Sequence, residues 1–417
     1  MRAHSRRVGI STPQPARPDQ QWPSGLDISA LLAEGWKPTP FREFVLKIHS
    51  RCDLACDYCY MYEMADQGWR QQPVRMSRDV LDAAASRIAE HAAIHHLDTV
   101  RVVLHGGEPL LAGPDTIRYA VAAIRGAIQA GTQARFSVQT NAVRLDAAWL
   151  RLLDELGIRV GVSLDGDAAS HDRHRRRPSG RGSHADVSAA LRRLVSPQFR
   201  HLFSGLLCTI DLRNDPLATY QALLAFQPPA LDFLLPHGNW TAPPRGRRPG
   251  SGAPYASWLI PIFDRWYHAP EPLTRVRLFE EIMHLLLGGA SRSEAVGLSP
   301  VAMLVIETDG SIEGGDALKS AYPGAPATGL HVTHDPFDQA LLLPSVAARQ
   351  IGARALCGTC QGCPVHQVCG GGHYAHRYAA GTGFANPSVY CADLLALITH
   401  VRQVMESDIA RQTARRP

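Results

Sequence analysis

The amino-acid sequence predicts an α/β fold built on a parallel sheet, followed by a smaller, cysteine-rich α+β part. Six apolar, strand-like runs alternate with helical patterns between residues 41 and 240, which is the pattern of βαβ units. Polar motifs follow these runs, and ligands collect at the carboxyl ends of parallel strands. Eight of the nine cysteines fall into two clusters. The residues leave two architectures open, an open doubly wound sheet and a partial barrel.

The individual elements are predicted from periodicity and from helix-start signals. The strand-like runs cover 44–48, 99–104, 135–139, 159–164, 202–210 and 231–235. The helical patterns between them cover 77–91, 114–130, 146–156, 184–195 and 216–226. Ser77 and Asp146 are candidate N-caps, and Pro114 and Pro216 stand at first-turn positions, where proline is favoured.

Composition bounds the class of protein. The chain has 417 residues, 45% of them hydrophobic and 19% charged, as expected for a globular protein of two or three domains. The N-terminus has no apolar segment of a secretory signal, and no run approaches 18 apolar residues, so we expect a cytoplasmic protein with no membrane partner. A net charge of +5 does not demand nucleic acid, and we expect none to be bound.

Composition also suggests how the chain is divided. Residues 1–40 are rich in Pro, Arg and Gln and are predicted to be a disordered tail. Residues 41–240 form the core, and 241–295 form a connector of loop and helix, with helical patterns at 255–268 and 278–287. Short strands, turns and cysteines then follow, so we place a domain boundary near 295 and a second domain over 296–417.

The first cysteine cluster follows the first predicted strand. Cys52, Cys56 and Cys59 have the spacing C-x3-C-x2-C. Thiolates are soft ligands that suit iron–sulfur clusters, zinc or copper(I). A [4Fe–4S] cluster normally takes four thiolates, so three on one loop leave one iron open for a small molecule. A structural zinc loop is the alternative, but zinc knuckles favour a second ligand pair nearby, and none lies here.

This spacing, with the aromatic residue Tyr58 directly before the last cysteine, resembles the signature of the radical S-adenosylmethionine (SAM) enzymes. The resemblance implies a partial (β/α)6 barrel, similar to a TIM barrel, over the core. It also implies a [4Fe–4S] cluster on Cys52, Cys56 and Cys59, which are then catalytic. SAM is chelated by the open iron, and Tyr58 belongs to the cofactor site.

Motifs after the next three strands supply further candidates for cofactor binding. The motif after the second strand is Gly106, Gly107, Glu108 and Pro109. It resembles the family motif whose backbone binds the SAM amino group, and glycine permits such close approach. Asn141 and Ser163 follow the third and fourth strands and are predicted to hold the ribose and carboxylate of SAM. Turn or cap chemistry explains each motif taken alone.

The second cysteine cluster lies between residues 357 and 391. Four of its cysteines have the spacing C-x2-C-x5-C followed by a distant cysteine, and four thiolates close a [4Fe–4S] cluster or a zinc site. They are Cys360, Cys363, Cys369 and Cys391. Beside a radical SAM core the pattern resembles the SPASM extension, a C-terminal cysteine-rich domain. That resemblance implies at least one auxiliary [4Fe–4S] cluster.

Two departures from the SPASM pattern bear on the number of clusters. SPASM proteins with two auxiliary clusters have a further cysteine four residues after the position of Cys369, together with an upstream pair. Here His373 stands at the first position, and residues 305–314 contain no cysteine. A second auxiliary cluster is therefore left open, and Cys357 is either an extra ligand or a free thiol.

Longer strings resemble one branch of the family, the FxsB-type cyclophane-forming peptide maturases, over about residues 41–405. They are LLPHGNW, RLFEEIMHLLLGG, ETDGSIE, DALKSA, CGGGHYAHRY and GFANPSVYCADL. The resemblance implies that a 5′-deoxyadenosyl radical takes hydrogen from a side-chain Cβ of a ribosomally made precursor peptide. The carbon radical then joins a nearby aromatic ring. Rearomatisation releases one electron, which the auxiliary cluster is expected to accept, and one proton.

The resemblance also implies two partners, the precursor peptide and a reductant such as flavodoxin or ferredoxin. Glu307, Asp309 and His373 are candidates for the base that takes the proton. Glu307, Asp309 and Asp316 are candidates for substrate contacts, with an ordinary hairpin turn as the alternative. His237 ends the sixth strand and is predicted either to be structural or to face adenine or substrate.

Three rival functions remain. A radical SAM peptide enzyme that makes a thioether or an epimer has the same core, so only the product decides. An RNA-modifying radical enzyme is disfavoured because no RNA-binding module is recognisable. A zinc-bearing scaffold is distinguished by its metal content.

Two remaining features receive structural interpretations. The basic run 171–177 is predicted to be a solvated loop, with a docking site for an acidic peptide or phosphate as the alternative. Cys208 lies alone in an apolar strand and is predicted to be core.

Overall fold

The six predicted strands form the parallel part of one ten-stranded sheet. The computed structural model describes residues 26–247 and 252–414. The strands are β1 (Glu43–His49), β2 (Thr99–Gly106), β3 (Gln133–Thr140), β4 (Ile158–Ser163), β5 (Phe203–Thr209) and β6 (Ala230–Leu234). Each covers its predicted run to within a few residues at either end.

The order of these strands decides between the two architectures. β1 to β6 lie side by side in sequence order, each parallel to the next. A doubly wound sheet reverses its strand order at a switch point, whereas a barrel does not. The partial (β/α)6 barrel is therefore the observed fold. Its helices are α1 (Ile28–Ala33), α2 (Arg78–Ile94), α3 (Pro114–Ala127), α4 (Ala147–Glu155), α5 (Ala168–His174), α6 (His184–Leu194) and α7 (Pro216–Leu224).

Helix starts follow the expected capping chemistry. The Ser77 side chain accepts a hydrogen bond from the Val80 N–H, and the Asp146 side chain accepts one from the Trp149 N–H. Each bond satisfies a backbone donor that the first helical turn leaves free. Pro114 and Pro216 stand at the first positions of α3 and α7. These starts at the predicted residues set where the loops that follow the strands must end.

The N-terminal tail is shorter than predicted. Residues 1–25 lie outside the described residues, but residues 26–40 are part of the fold, and their prediction as disordered is wrong. Asp27 caps α1, and Leu31 is buried in an apolar cluster with Ile351 and Ala355. Composition did not reveal this contact, because the apolar partners come from the other end of the chain.

The basic run 171–177 is not simply a solvated loop, and that prediction is wrong for its first half. Residues 168–174 form α5, and His171 and His174 are buried. The Arg175 Nε donates to the buried Asp165 carboxylate at 2.8 Å. A buried carboxylate needs a paired cation, which explains why part of a basic run turns inward. The arginines that follow remain at the surface.

The C-terminal half continues the same sheet. Its elements are α8 (Pro254–Tyr267), β7 (Arg275–Val276), α9 (Arg277–Leu286), β8 (Met303–Ile306), β9 (Ser311–Glu313), β10 (Ala327–His331), α10 (Phe337–Leu341), α11 (Pro344–Ala347), α12 (Gly358–Gln361), α13 (His366–Cys369) and α14 (Cys391–Ala414). β7 extends the sheet beyond β6, and β8 pairs in parallel with β1. The boundary near 295 therefore marks a change in composition within one continuous sheet. Residues 248–251 of the predicted connector loop lie outside the described residues.

The hydrophobic core is likewise continuous across this boundary. One cluster of buried side chains includes Phe41 and Leu104 of the barrel as well as Leu397 and Met405 of α14. Cys208 is 1% exposed within it, which confirms its prediction as a core residue. No helix in the described ranges is long and apolar enough to cross a membrane.

Candidate active site

The loop that follows β1 carries the three clustered cysteines. Cys52, Cys56 and Cys59 are half-buried and free of disulfide bonds. The loop is folded by its own backbone, with the Cys59 N–H donating to the Cys56 carbonyl at 3.1 Å. All three cysteines line one internal cavity of about 470 Å³ at the carboxyl ends of the strands. The predicted cluster ligands are thus brought together in a space that can hold a small molecule.

The surroundings of these thiols are chemically suited to a metal cluster. Burial raises the pKa of Cys56 to about 12, although the Arg175 guanidinium acts against it. Burial likewise raises the pKa values of Cys52 and Cys59. Desolvation disfavours the charged thiolate form of these cysteines. A bound metal cation replaces the thiol proton and stabilises the thiolate by direct bonding. The donor set therefore fits iron.

The spacing of the sulfur atoms favours a cluster over a single zinc ion. A tetrahedral zinc site with Zn–S bonds of about 2.3 Å brings its sulfurs to within about 4 Å of one another. Within the described ranges, no three cysteine sulfurs lie within 4.8 Å of each other. In a cubane cluster each thiolate binds a different iron, so its sulfurs lie further apart. This holds for both cysteine clusters.

The glycine motif after β2 lies directly against the cysteine loop. A Cβ on Gly106 would lie 2.1 Å from the His49 carbonyl oxygen, and one on Gly107 would lie 1.8 Å from the Tyr62 hydroxyl. The Gly107 and Glu108 N–H groups donate to the His49 and Arg51 carbonyls at 2.9 Å. The predicted close approach is therefore real, and it is made to the backbone just before Cys52.

Gly107→Ala is expected to destabilise the fold by about 1–3 kcal/mol, because the added methyl group overpacks this contact. The Tyr62 ring and the Arg51 backbone must shift, so SAM binding should weaken as well. Chemical denaturation and equilibrium SAM binding measure the two effects. Gly126→Ala is the control, since nothing lies within 4 Å of that Cβ position in α3 and alanine favours helix by up to about 1 kcal/mol. Equal stability of both variants would contradict the prediction.

Glu108 organises the site from within. Its side chain is 1% exposed and accepts hydrogen bonds from the Thr140 hydroxyl at 2.7 Å and the Asn141 N–H at 2.8 Å. Burial raises its pKa to about 7 against these hydrogen bonds. Pro109 begins the short turn that Glu108 caps. This carboxyl group joins the ends of β2 and β3. Glu108 was predicted to belong to the cofactor site, and it lies next to and behind the two glycines.

Asn141 and Ser163 both line the cavity, as do Tyr58 and the glycine motif. The Asn141 amide donates to the Asp53 carboxylate at 2.9 Å and contacts the Cys52 sulfur at 3.6 Å. Ser163 accepts a hydrogen bond from the Gln139 amide at 3.1 Å. The polar residues predicted from three different strands therefore converge around the cysteine loop, because parallel strands end at the same edge.

Tyr58 is fixed by a buried ion pair. Its hydroxyl donates to the Asp165 carboxylate, and the Arg175 guanidinium lies 5.5 Å from the centre of its ring. Burial tends to raise the pKa of Asp165, but Arg175 and the other partners outweigh it and hold that pKa below its usual value. Asp165 and Arg175 were not predicted as site residues; the signal was an aspartate directly after β4.

The cavity lining also contains an aspartate that sequence reasoning placed only loosely. Asp316 lies in the loop after β9 and lines the cavity together with His105. Its Oδ2 is 2.5 Å from the Nζ of Lys47, which is completely buried on β1. Its Oδ1 is buried and has no hydrogen-bond partner among the described residues. The sequence feature that could have indicated this pair is a lysine, Lys47, inside the apolar run 44–48.

Two of the three predicted bases, Glu307 and Asp309, are already engaged elsewhere. Glu307 pairs with the Lys319 ammonium at 3.0 Å, and neither residue lines the cavity. Asp309 accepts from the Gln72 amide at 3.1 Å and also lies outside the cavity lining. Each carboxylate of the group Glu307, Glu313 and Asp316 pairs with Lys47 or Lys319, so two cations already compensate most of its charge. Among the carboxylates first considered, Asp316 is the one that reaches the cavity.

Three histidines form the far end of the cavity. The ring centroids of His237, His373 and His376 lie 5.1 to 5.8 Å apart. Burial lowers the pKa of His237 to about 3 and also lowers the pKa values of the other two, so all three are neutral at neutral pH. His373 is 3.6 Å from the Glu294 carboxylate. This wall presents neutral imidazoles where a second auxiliary cluster would need thiolates.

The second cysteine cluster gathers around α12, α13 and the start of α14. Burial raises the pKa of Cys360 to about 12, and the neighbouring Cys357 adds to this effect. Burial raises the pKa of Cys369 to about 11, with smaller contributions from Cys391 and Cys363. The cysteines are brought together by the local fold: the Cys363 N–H donates to the Cys360 carbonyl at 3.1 Å, and α13, which ends at Cys369, contacts α14, which begins at Cys391. Gly370 and Gly372 direct their carbonyls to Arg377, which closes the loop. The set has enough thiols for one [4Fe–4S] cluster.

Replacing Cys369 and Cys391 with alanine is expected to lower the iron content from about eight to about four atoms per chain, because one of two [4Fe–4S] clusters loses half its ligands. Iron and sulfide analysis after anaerobic reconstitution makes the measurement. Cys357→Ala is the matched control and should retain about eight irons. A fall in this control would instead make Cys357 a ligand. About twelve irons in the wild type would require a second auxiliary cluster, which the cavity wall described above does not favour.

One further group has metal-ligating side chains, His91, His95 and Asp338. The His91 Nε2 accepts a hydrogen bond from the Phe41 N–H at 3.0 Å, so the proton of the neutral ring is on Nδ1. That Nδ1 donates to Asp338 at 2.6 Å. A metal ion at Nδ1 would force the ring proton onto Nε2 against the Phe41 N–H. This group is therefore a structural link between α2 and α10.

Comparison with known proteins agrees with the site. Residues 46–212 match the family model described as the Radical SAM superfamily. The core of this chain is therefore that of a radical SAM enzyme. Enzymes of this superfamily use a [4Fe–4S] cluster and SAM, and the cysteine loop with its cavity has the donors for both.

The more particular relatives are maturases. The chain is 28% identical to the serine-type anaerobic sulfatase-maturating enzyme of Klebsiella aerogenes over 357 residues, which is 84% of each chain. It is 24% identical over 269 residues to the cysteine-type enzyme of Clostridium novyi (strain NT), covering 63% of this chain and 70% of the relative. These are SPASM-type homologues.

Solved structures support the fold over nearly the whole chain. Native anSMEcpe with bound AdoMet and the Cp18Cys peptide superposes with a TM-score of 0.75 at 19% identity, covering 89% of this chain and 99% of that one. Streptococcus suis SuiB bound to its precursor peptide SuiA superposes with a TM-score of 0.54 at 12% identity, covering 87% and 78%. At these identities the likeness concerns the fold.

Proposed function

We propose that this chain is a cytoplasmic radical SAM peptide maturase. It cleaves SAM, abstracts a side-chain hydrogen from a ribosomally made precursor peptide, and joins that Cβ to an aromatic ring in a cyclophane. The observation that carries the proposal is the composition of the cavity wall facing the cysteine loop. Residues from five of the six branch-specific strings line it, namely His237, Leu278, Asp316, His373 and Leu394. The strings that resemble cyclophane-forming enzymes are thus the ones that would touch substrate.

The chain's own residues hold the cofactors in this proposal. Cys52, Cys56 and Cys59 would ligate the first cluster, and Cys360, Cys363, Cys369 and Cys391 the auxiliary one. When bound, these clusters and SAM supply the hydrogen-abstracting radical and an acceptor for one electron. Gly106, Gly107, Asn141 and Ser163 would orient SAM, and Tyr58, held by Asp165 and Arg175, would close the site beside it. An unselective carbon radical requires that water be excluded from this cavity during turnover.

Asp316 is the proposed proton acceptor. Joining Cβ to the ring removes one hydrogen atom from Cβ and one electron and one proton from the ring. Asp316 lines the cavity, and its Oδ1 is buried without a hydrogen-bond partner among the described residues, while Lys47 holds Oδ2. Burial tends to raise the pKa of Asp316, but Lys47 and other cations hold it below its usual value. The carboxylate is therefore ionised at neutral pH, and a weak base suffices because a ring that has lost the electron releases its proton readily.

A second candidate function is oxidation of a single serine or cysteine side chain in a protein substrate. It is favoured by the two relatives, which are named as serine-type and cysteine-type sulfatase-maturating enzymes. It uses the same core and the same proton acceptor. A thioether or an epimer would also arise from this core. The chemistry of the product therefore decides among them.

The test is anaerobic turnover of the reconstituted protein with dithionite, SAM and a candidate precursor peptide. The expected product is 5′-deoxyadenosine together with a peptide lighter by two hydrogens. Tandem mass spectrometry should give no fragment ions between the two joined residues, and NMR should show a new ring-to-Cβ bond. Complete fragmentation with the mass loss on one serine would favour the second candidate. An unchanged mass with inverted stereochemistry would indicate epimerisation.

A further inference from the structure

A second cleft lies behind the cysteine loop. It has a volume of about 510 Å³ and is lined by Asp53, Arg144, Trp149 and Arg177 among others. The main cavity is lined by Cys52 and Leu54, the two chain neighbours of Asp53. A single stretch of the loop therefore separates the two spaces, with Cys52 lining the main cavity and the next residue, Asp53, lining the cleft. None of the residues that line this cleft also lines the main cavity.

Arginines surround this cleft. Residues 167–194 carry seven arginines against three aspartates. Arg144, Arg177 and Arg193 line the cleft. Arg181 shares Asp186 with Arg177, and Arg176 is the chain neighbour of Arg177. We call these five arginines the arginine rim. Four of them are exposed, and Arg177 is half-buried. Aspartates compensate part of this charge, with Asp53 pairing with Arg144 at 2.9 Å and Asp186 pairing with both Arg177 and Arg181 at 2.8 Å.

Two features of the rim indicate an anionic partner. The Arg177 Nε is buried and has no hydrogen-bond partner among the described residues, so the wall retains a free donor. The rim is also joined to the cluster loop, since the Ala55 N–H donates to the Arg176 carbonyl at 2.7 Å. Ala55 itself is exposed, next to the ligand Cys56. Trp149 and Val143 supply apolar surface between the charges.

We propose that the arginine rim is the docking surface for a small acidic one-electron carrier protein, which reduces the first cluster through the cysteine loop. The inference rests on the proposed function. One electron passes from the reduced carrier to the cluster, the carrier is oxidised by one electron, and no covalent bond changes. Complementary charge both orients such a transient encounter and speeds it, and the cleft accepts acidic side chains of the carrier within one residue of Cys52.

The acidic precursor peptide is the competing occupant, and the geometry disfavours it. A substrate segment must continue into the main cavity, whose lining contains none of the rim arginines. An electron carrier needs only to approach the outside of the cluster loop. That is the place where Ala55 and Asp57 are exposed.

The experiment compares two electron sources in the reconstituted full chain. SAM cleavage is driven either by dithionite, which needs no docking surface, or by an acidic flavodoxin, with an acidic ferredoxin in parallel. In the double variant R181E/R193E, the ratio of carrier-driven to dithionite-driven cleavage should fall about tenfold or more, because opposite charges on the docking surface become like charges. Binding of the carrier to R181E/R193E, measured by titration without turnover, should weaken by a similar factor. In the wild type it should weaken with added salt.

The matched control is R101E/R275E. Both arginines are more than 60% exposed and ion-paired, but they lie on the opening residues of β2 and β7, at the other end of the sheet. Its ratio should equal that of the wild type. Equal carrier binding and equal ratios in both double variants would overturn the proposal, as would wild-type protein that binds neither carrier. Weaker binding of the precursor peptide alone in R181E/R193E would assign the rim to the substrate. Absence of dithionite-driven cleavage in the wild type would instead contradict the proposed function.

Discussion

Simultaneous replacement of Cys52, Cys56 and Cys59 with alanine is expected to abolish SAM cleavage altogether. The three thiols line one cavity and lie on one loop, and no other cysteine lines that cavity. Without them the first cluster has no protein ligand, so the electron that SAM accepts has no donor. The measurement is 5′-deoxyadenosine formed with dithionite, together with iron content. About four irons should remain on the second cysteine cluster.

Cys208→Ala is the matched control for the triple variant. Cys208 is buried in β5, away from both cysteine clusters, so its loss should cost about 1 kcal/mol of stability and no iron. SAM cleavage should persist in this variant. Cleavage that survives in the triple variant would contradict the assignment of the first cluster. Zinc without iron in the wild type would leave only a scaffold.

Asp316→Asn is expected to lower product formation about a hundredfold or more, since it removes a positioned proton acceptor. SAM cleavage should continue, because the carboxylate pairs with Lys47 and His105 rather than with the cysteine loop or the glycine motif. The expected signature is therefore uncoupling, with 5′-deoxyadenosine formed in excess of modified peptide. Asp309→Asn is the control, since that carboxylate binds Gln72 outside the cavity. Equal loss of cleavage and product in Asp316→Asn would instead indicate a structural role.

The same residue predicts a pH dependence whose direction can be stated. Burial raises the pKa of Asp316, but Lys47, His105 and Lys319 lower it below the usual value of 3.8. A depressed carboxyl pKa means that the charged form is favoured by folding, so its stabilising contribution is present at neutral pH and is lost as the pH falls through the folded-state pKa. Lys47→Met removes the main opposing charge. In Lys47→Met, the yield of modified peptide should therefore begin to fall at a higher pH than in the wild type as the solution is acidified. A pH profile of product yield that is the same in both proteins would contradict this account.

Local sequence patterns predicted most of the barrel. The six apolar runs were sufficient because a buried parallel strand is continuously apolar over its own few residues. The caps at Ser77 and Asp146 were predictable because a capping side chain bonds a backbone N–H only a few residues away. The cysteine loop and the glycine pair were also predictable, since the three thiols lie on one short segment and the glycines follow the next strand.

Interactions between distant segments were decided by the tertiary structure alone. The sequence does not show that β8 continues the sheet beside β1. Nor does it show that Lys47 forms an ion pair with Asp316, or that Arg175 forms one with the buried Asp165. Each of these pairings depends on which strands become neighbours. A charge in an isolated segment is most stable in water, and it becomes buried only where the fold supplies an opposite charge. The sequence alone therefore determined the six strands and the grouping of the cysteines, whereas the tertiary structure determined the order of the strands, which carboxylate lines the cavity and which arginines remain outside it.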